Sequence, residues 1–374
     1  MKSRTNGSQL SELRLVDPHL SSAEGYEKLA ARSARPLPTD LISFDTVVAG
    51  GGRMRTLHEW IADTYGTSLL VVDRGTLVYE WYADELGPDT LFLGASMTKS
   101  ALAHLVGRAV TNGVLGLDDL AASYVPELEH TGYQDVTVRS LLTMTSGVDW
   151  VEDHRDSGTL ASRLVGCFGD PPGDSRALLR LINARTRPGT QYEYCTADSQ
   201  VLDWVRERAT DLTYVEDLAR LWDTLGCERD AVVGIDALRV PLAGGGLAAC
   251  ARDWARIGML AVDGTSGGAG VLDEEWIDAA VRPPFRFLEP GRLPSGISTH
   301  VGFAYHWWPL DLHGRRIAAD GSRGQFTYVD RAADVVIVKT SQWPYDDWLA
   351  DRQFRDLSYL GLAAIGDAVV GSRT

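Results

Sequence analysis

Ser96 and Lys99 stand three positions apart in Ser96-Met97-Thr98-Lys99. A serine hydroxyl is a weak nucleophile at neutral pH and needs a base within reach. On a helix, residues three apart share a face, with Cβ atoms about 5–6 Å apart. Lys99 could then take the Ser96 proton, provided that burial or a nearby positive charge lowers its pKa. Taken alone, the same four residues also suit an ordinary surface pair. A second candidate is Tyr194, in Pro188-Gly189-Thr190-Gln191-Tyr192-Glu193-Tyr194-Cys195-Thr196. Proline and glycine mark a turn there, and a phenol on such a loop can relay protons in a cleft. It can equally pack on the core with its hydroxyl wet. The third is Asp320-Gly321-Ser322-Arg323-Gly324-Gln325. Glycines beside an edge strand let a substrate carbonyl approach backbone N–H groups. One such N–H and that of Ser96 would form an oxyanion hole, where losing a donor costs about 10²–10³ in rate. An ordinary turn is the alternative.

These residues need elements to hold them. Leu69 to Val72 and Leu77 to Tyr82 flank Asp73-Arg74-Gly75-Thr76, the pattern of a hairpin. The apolar run from Ala101 to Val114 predicts a buried helix with Ser96 at its first turn. Helical patterns continue from Val136 to Leu142, over 198–224, and from Arg252 to Leu260. Strand character returns at Gln325 to Val329 and Val335 to Thr340, again around a turn, and a last amphipathic helix is expected from about Trp348 to Ala368. Strands at both ends with helices between predict an α/β (α+β) fold: an antiparallel sheet flanked by helices, with an inserted lobe. The expected division is an irregular arm over 1–40, an α/β lobe from 41–100 and 291–374, and a mostly helical lobe over 101–290. The site would lie between the lobes.

Composition narrows the function. The 374 residues carry a formal net charge of -15, which repels phosphate backbones and anionic membranes, so neither nucleic acid nor membrane is an expected partner. The first residues lack the apolar core of a signal peptide, and no run is long enough for a membrane helix, so the cytoplasm is the expected location. Cys167, Cys195, Cys227 and Cys250 form no CxxC pair and read as free thiols. No metal or other cofactor is expected. Glu152, Asp153 and Asp156 around His154 read as a solvated acidic face, with His154 as a candidate lip of the cleft and Trp150 beside it. His306 reads as packed. Trp307 and Trp308 read as core or as a wall of the cleft. Lysine occurs only at positions 2, 28, 99 and 339, which makes Lys99 in its uncharged segment conspicuous.

The three pieces, in this order, resemble the class C β-lactamase and penicillin-binding-protein superfamily, whose signatures are SxxK, Tyr-x-Asn and Lys-Thr-Gly. Val136-Thr137-Val138-Arg139-Ser140-Leu141-Leu142-Thr143-Met144-Thr145-Ser146-Gly147 is similar to a connecting stretch of that family. So is Gly244-Gly245-Gly246-Leu247 followed by Ala251-Arg252-Asp253-Trp254-Ala255. The resemblance spans about residues 65–345. Within the superfamily, Tyr194-Cys195-Thr196-Ala197-Asp198 and Val336-Ile337-Val338-Lys339-Thr340-Ser341-Gln342-Trp343-Pro344 resemble the 6-aminohexanoate-dimer hydrolase (nylon-oligomer amidase) and carboxylesterase branch.

By that resemblance Ser96 is the acylated nucleophile, Lys99 its base and Tyr194 the proton relay. The backbone N–H groups of Ser96 and Ser322 would form the oxyanion hole. Thr196 stands where the family has asparagine, and Ala319 where it has the lysine of Lys-Thr-Gly. Asp320 would then repel a substrate carboxylate, and Arg323 could partly restore the charge. His154 matches a substrate-holding tyrosine of the nylon amidase. Trp150, His154, Thr196, Gly321 and Arg323 are thus the expected substrate contacts. The expected activity is hydrolysis of a small-molecule ester or amide through an acyl-Ser96 intermediate. Transfer of the acyl group to an amine or alcohol acceptor is the alternative. A β-lactamase, a cell-wall peptidase and a non-catalytic binder rank lower.

Overall fold

The computed structural model of the chain describes residues 13–14, 25–43, 46–154, 156–294, 297–344 and 352–373. The start of the last expected helix, at Trp348, lies outside them, as do most residues before 25.

Its centre is a six-stranded antiparallel sheet in the order Trp308–Pro309, Arg316–Gly321, Gln325–Asp330, Val335–Ser341, Gly66–Asp73 and Thr76–Tyr82. Both hairpins expected from turn signals are present. The sheet joins segments far apart in sequence, because Gly66–Asp73 pairs directly with Val335–Ser341.

Side chains alternate along each strand, so one strand feeds two cores. Leu70, Val72, Val336 and Val338 pack into one cluster with the helices Thr98–Thr111 and Ala251–Asp263. Leu69, Val71, Val335 and Ile337 pack into a second, with Tyr359, Leu362 and Ile365 of the helix Arg352–Gly371. Burial on both faces explains why these strands read as unbroken apolar runs.

Two expected boundaries change. Helix Ala251–Asp263, expected in the lobe over 101–290, packs on the central sheet. A Cβ on Gly258 would come within 2.6 Å of Thr327 Cγ2, so a glycine permits the close approach. The arm is not wholly irregular either. Tyr26–Leu29 forms a strand antiparallel to Ala231–Gly234, in a second sheet that also contains Leu247–Ala249 and Leu91–Leu93. The helical pattern over 198–224 is two helices, Thr196–Thr210 and Tyr214–Leu225, broken where Asp211 takes a positive φ of 55°. All four cysteines are free and buried. Among the described residues, no helix is long and apolar enough to cross a membrane.

Candidate active site

Ser96 sits in a 3₁₀ turn, Ala95–Met97, that runs into the buried helix Thr98–Thr111. Ala95 holds a φ of 45°, the left-handed region that costs a non-glycine residue about 1–2 kcal/mol. Such strain persists where the surroundings over-determine it. They do so here. The Gly94 N–H donates to Leu247 O at 2.9 Å, and a Cβ on Gly94 would fall 2.2 Å from the Trp254 ring.

Lys99 follows one helical turn later and is buried. Its Nζ donates to Ser96 Oγ at 3.0 Å, Thr196 Oγ1 at 3.2 Å and Gly244 O at 2.6 Å. All three are uncharged oxygens. Burial pulls its pKa down to about 8, against the opposing pull of Glu152. A substantial fraction of the amine is therefore neutral near pH 8, as a base for serine must be.

Tyr194 arrives on the loop before helix Thr196–Thr210. Its ring stacks on Trp308 at 5.8 Å and meets Phe303 edge-on at 6.3 Å. Lys99 Nζ lies 5.1 Å from the ring centroid, and the Ser96 hydroxyl is among the groups that act on the phenol. Burial and the Glu152 carboxylate push the phenol pKa well up. Tyr194 is thus a neutral phenol, able to pass a proton on but not to act as a standing phenolate. The three expected centres do meet.

The turn after the strand Arg316–Gly321 comes next. A Cβ on Gly321 would lie 2.2 Å from Gly94 O, so only glycine allows the strand end to seat against the Ser96 turn. Ser322 and Arg323 follow directly, with Arg323 at a φ of 59°. The Arg323 carbonyl accepts from Trp343 N–H at 3.4 Å and from Gln325 Nε2 at 3.3 Å.

Three expectations need correction. Asp320 does not face a substrate carboxylate. It turns toward the C-terminal helix, where its Oδ2 lies 2.9 Å from Arg355 Nε and accepts from Tyr359 at 2.7 Å. Trp150 is buried and donates its indole N–H to Glu152 Oε2 at 2.6 Å, so it holds a carboxylate and does not present an open wall. Glu152 itself is no solvated face. Its carboxylate accepts from Thr196 N–H at 2.8 Å and Thr196 Oγ1 at 2.5 Å, and lies 3.1 Å from His154 Nε2. Burial works against its charge, but His154, Lys99 and Thr196 outweigh burial and bring its pKa to about 2.

Glu152 and the Gly244 carbonyl are the site residues that sequence reasoning missed. A signal existed for the first: Trp150, Glu152 and His154 alternate in the sequence. His306 is packed as expected. Its Nδ1 lies 3.2 Å from Lys99 O, and its carbonyl accepts from Ser100 Oγ at 2.7 Å. Among the described residues, no group of three His, Cys, Asp or Glu is placed to hold a metal ion.

The chain is 29% identical over 304 residues to the 6-aminohexanoate-dimer hydrolase of Paenarthrobacter ureafaciens, covering 79% of this chain and 77% of that one. Its fold superposes on a Bacillus anthracis protein assigned as a 6-aminohexanoate-dimer hydrolase with a TM-score of 0.81, at 20% identity, over 97% of this chain and 98% of the other. EstCE1, described as a hydrolase with promiscuous acyltransferase activity, superposes with a TM-score of 0.61 at 18% identity, over 80% and 95% of the two chains. The beta-lactamase family model matches residues 55–360. With that match spanning most of its length, the chain belongs to the β-lactamase family.

Proposed function

We propose that the chain is a serine hydrolase that cleaves a small ester or amide through an acyl-Ser96 intermediate. The observation that carries this reading is the buried Lys99 amine 3.0 Å from Ser96 Oγ, with its other hydrogen bonds going to uncharged oxygens.

Ser96 Oγ attacks the substrate carbonyl carbon while Lys99 takes its proton. The carbonyl oxygen becomes an oxyanion, received by the N–H groups of Ser96 and Ser322. The tetrahedral adduct collapses, and the leaving group departs with a proton relayed through Tyr194. Water then attacks the acyl-enzyme, and the acid leaves. Gly321, Arg323, His154 and Thr196 border this path.

A substrate that does not depend on the family lysine fits best. The buried Ala319 occupies the position of the family lysine, and Asp320 is committed to Arg355 and Tyr359. Neither presents a cation to a carboxylate, which argues against β-lactam antibiotics and cell-wall peptides. Four unpaired thiols suit a reducing compartment such as the cytoplasm.

Acyl transfer to an amine or alcohol is the second reading. It draws on the name of EstCE1 and needs no change at the site, since the acceptor replaces water.

The test is intact-mass analysis after exposure to a panel of p-nitrophenyl esters and small amides, with Ser96→Ala as control. An adduct on the native chain that is absent from the variant is expected. Labelling that survives in Ser96→Ala, or no labelling by any activated ester, refutes the reading. Repeating the reaction with an amine acceptor separates hydrolysis from transfer by the product formed.

A further inference from the structure

Lys99 can serve as base only if its lone pair faces Ser96. A neutral amine has two N–H bonds and one lone pair. The Gly244 carbonyl can only accept, so it takes one N–H. The Thr196 hydroxyl is ambiguous, because a hydroxyl both donates and accepts. If it donated to Lys99, it would occupy the lone pair that Ser96 needs.

Glu152 removes that ambiguity. An ionised carboxylate is an acceptor only. It takes the Thr196 hydroxyl hydrogen at 2.5 Å and the Thr196 N–H at 2.8 Å, while Trp150 donates to it at 2.6 Å. Thr196 then has only lone pairs to offer Lys99, 3.2 Å away. We infer that Glu152 is a positioning residue: by committing the Thr196 hydroxyl hydrogen, it forces the Lys99 lone pair onto Ser96. This rests on the acyl-Ser96 reading and adds to it a residue outside the family signatures described above.

Burial lowers the Lys99 pKa, and Glu152 pulls against that lowering. The titratable groups facing Lys99 are Glu152 from the Trp150–His154 segment, Tyr194 and Cys195 from the loop, and His306 behind it. Burial keeps Tyr194 and Cys195 protonated, and burial together with Lys99 brings His306 down to about 3, hence neutral. Facing Glu152 there are also His154, Tyr192, itself held protonated by burial, and Asp198, which burial pushes up to about 7. Glu152 is thus the nearby anion that favours the Lys99 ammonium. Replacing it by an uncharged isostere lowers the Lys99 pKa, so the acid limb of the rate profile moves to lower pH.

The experiment is hydrolysis of a p-nitrophenyl ester between pH 5.5 and 9.5 by the full chain and by Glu152→Gln, Thr196→Val and Thr196→Ser. For Glu152→Gln, the acid limb of kcat/KM should fall by about one to two pH units. Its plateau should drop by about tenfold or more, because the Thr196 hydroxyl can again donate to Lys99. Thr196→Ser should keep both features, and Thr196→Val should lose plateau rate. A merely structural role lowers the plateau without moving the limb. An unmoved limb in a folded Glu152→Gln overturns the inference while the native acyl adduct still stands. Should Glu152→Gln fail to fold, an undiminished plateau in Thr196→Val overturns it instead. No adduct on the native chain removes the reading beneath it as well.

Discussion

Replacing Arg355 by methionine should unfold the chain more readily than almost any other single change at the C-terminal helix. The Arg355 side chain is fully buried, and that of Asp320 is 3% exposed. Their atoms meet at 2.9 Å, with the Tyr359 hydroxyl on the same carboxylate oxygen. Removing one partner strands the other charge in the interior, at a typical cost of about 3–5 kcal/mol. Tyr359 offsets part of that, since a hydrogen bond to a charged group contributes about 1.5–3 kcal/mol and is retained. A net loss of about 3 kcal/mol is expected at pH 8. The loss should shrink toward pH 5. Burial already raises the Asp320 pKa against the pull of Arg355 and Tyr359, and losing Arg355 raises it further. A carboxyl whose folded pKa exceeds its unfolded one loses stability as pH rises between the two, so acid relieves the variant. Urea unfolding of the native chain, Arg355→Met and Asp320→Asn/Arg355→Met at both pH values measures this. The double variant should recover most of the loss at pH 8. A loss under about 1 kcal/mol, or a double variant no more stable than the single one, would show that the pair does not hold the helix to the strand end.

Other perturbations probe the site and its support. Gly321→Ala places a methyl against Gly94 O and must displace the Ser322 turn, so ester kcat should fall by about 10²–10³, the cost of one oxyanion donor, with the circular dichroism spectrum unchanged. Lys99→Arg keeps the charge but cannot give up its proton near neutrality, so acylation measured by stopped flow should slow by about 10²–10⁴. Lys339 is fully buried beside Trp60, and burial lowers its pKa to about 7. Its unfolded form stays protonated to higher pH, so stability rises between about pH 7 and 10. Lys339→Met should therefore melt higher than the native chain at pH 6, by roughly 1–3 kcal/mol in urea, with the gain fading toward pH 10. Equal gains at both pH values would show that charge burial is not the cause.

Local patterns made the positions of Ser96, Lys99 and Tyr194 legible. A serine and a lysine one turn apart share a face on any helix, and turn residues announced two of the hairpins of the central sheet. What stayed hidden was long-range. The partner of Tyr26–Leu29 lies at Ala231–Gly234, and a four-residue strand carries too little period to announce itself. The helix at Ala251–Asp263 was visible as a helix, but only Gly258, pressed on Thr327, hinted at what it packs against. Asp320 was read by its charge and not by its face, which looks to Arg355. Glu152 was misread for the opposite reason. Acidic residues grouped in a loop are usually wet, and the alternation of Trp150, Glu152 and His154 did not by itself say that an indole, a hydroxyl and an imidazole converge on this one.

The pairing of Gly66–Asp73 with Val335–Ser341 has a consequence for how the chain is made. The Gly66–Tyr82 hairpin leaves the ribosome well before Val335–Ser341, the strand that completes its inner edge, is translated. At about 5–20 residues per second, that edge waits on the order of tens of seconds. Throughout the wait Leu69 to Val72 form a bare apolar template, the kind of strand that recruits copies of itself. Synthesis speed, and whatever shields nascent strand edges, therefore decide how much of this protein reaches its native sheet.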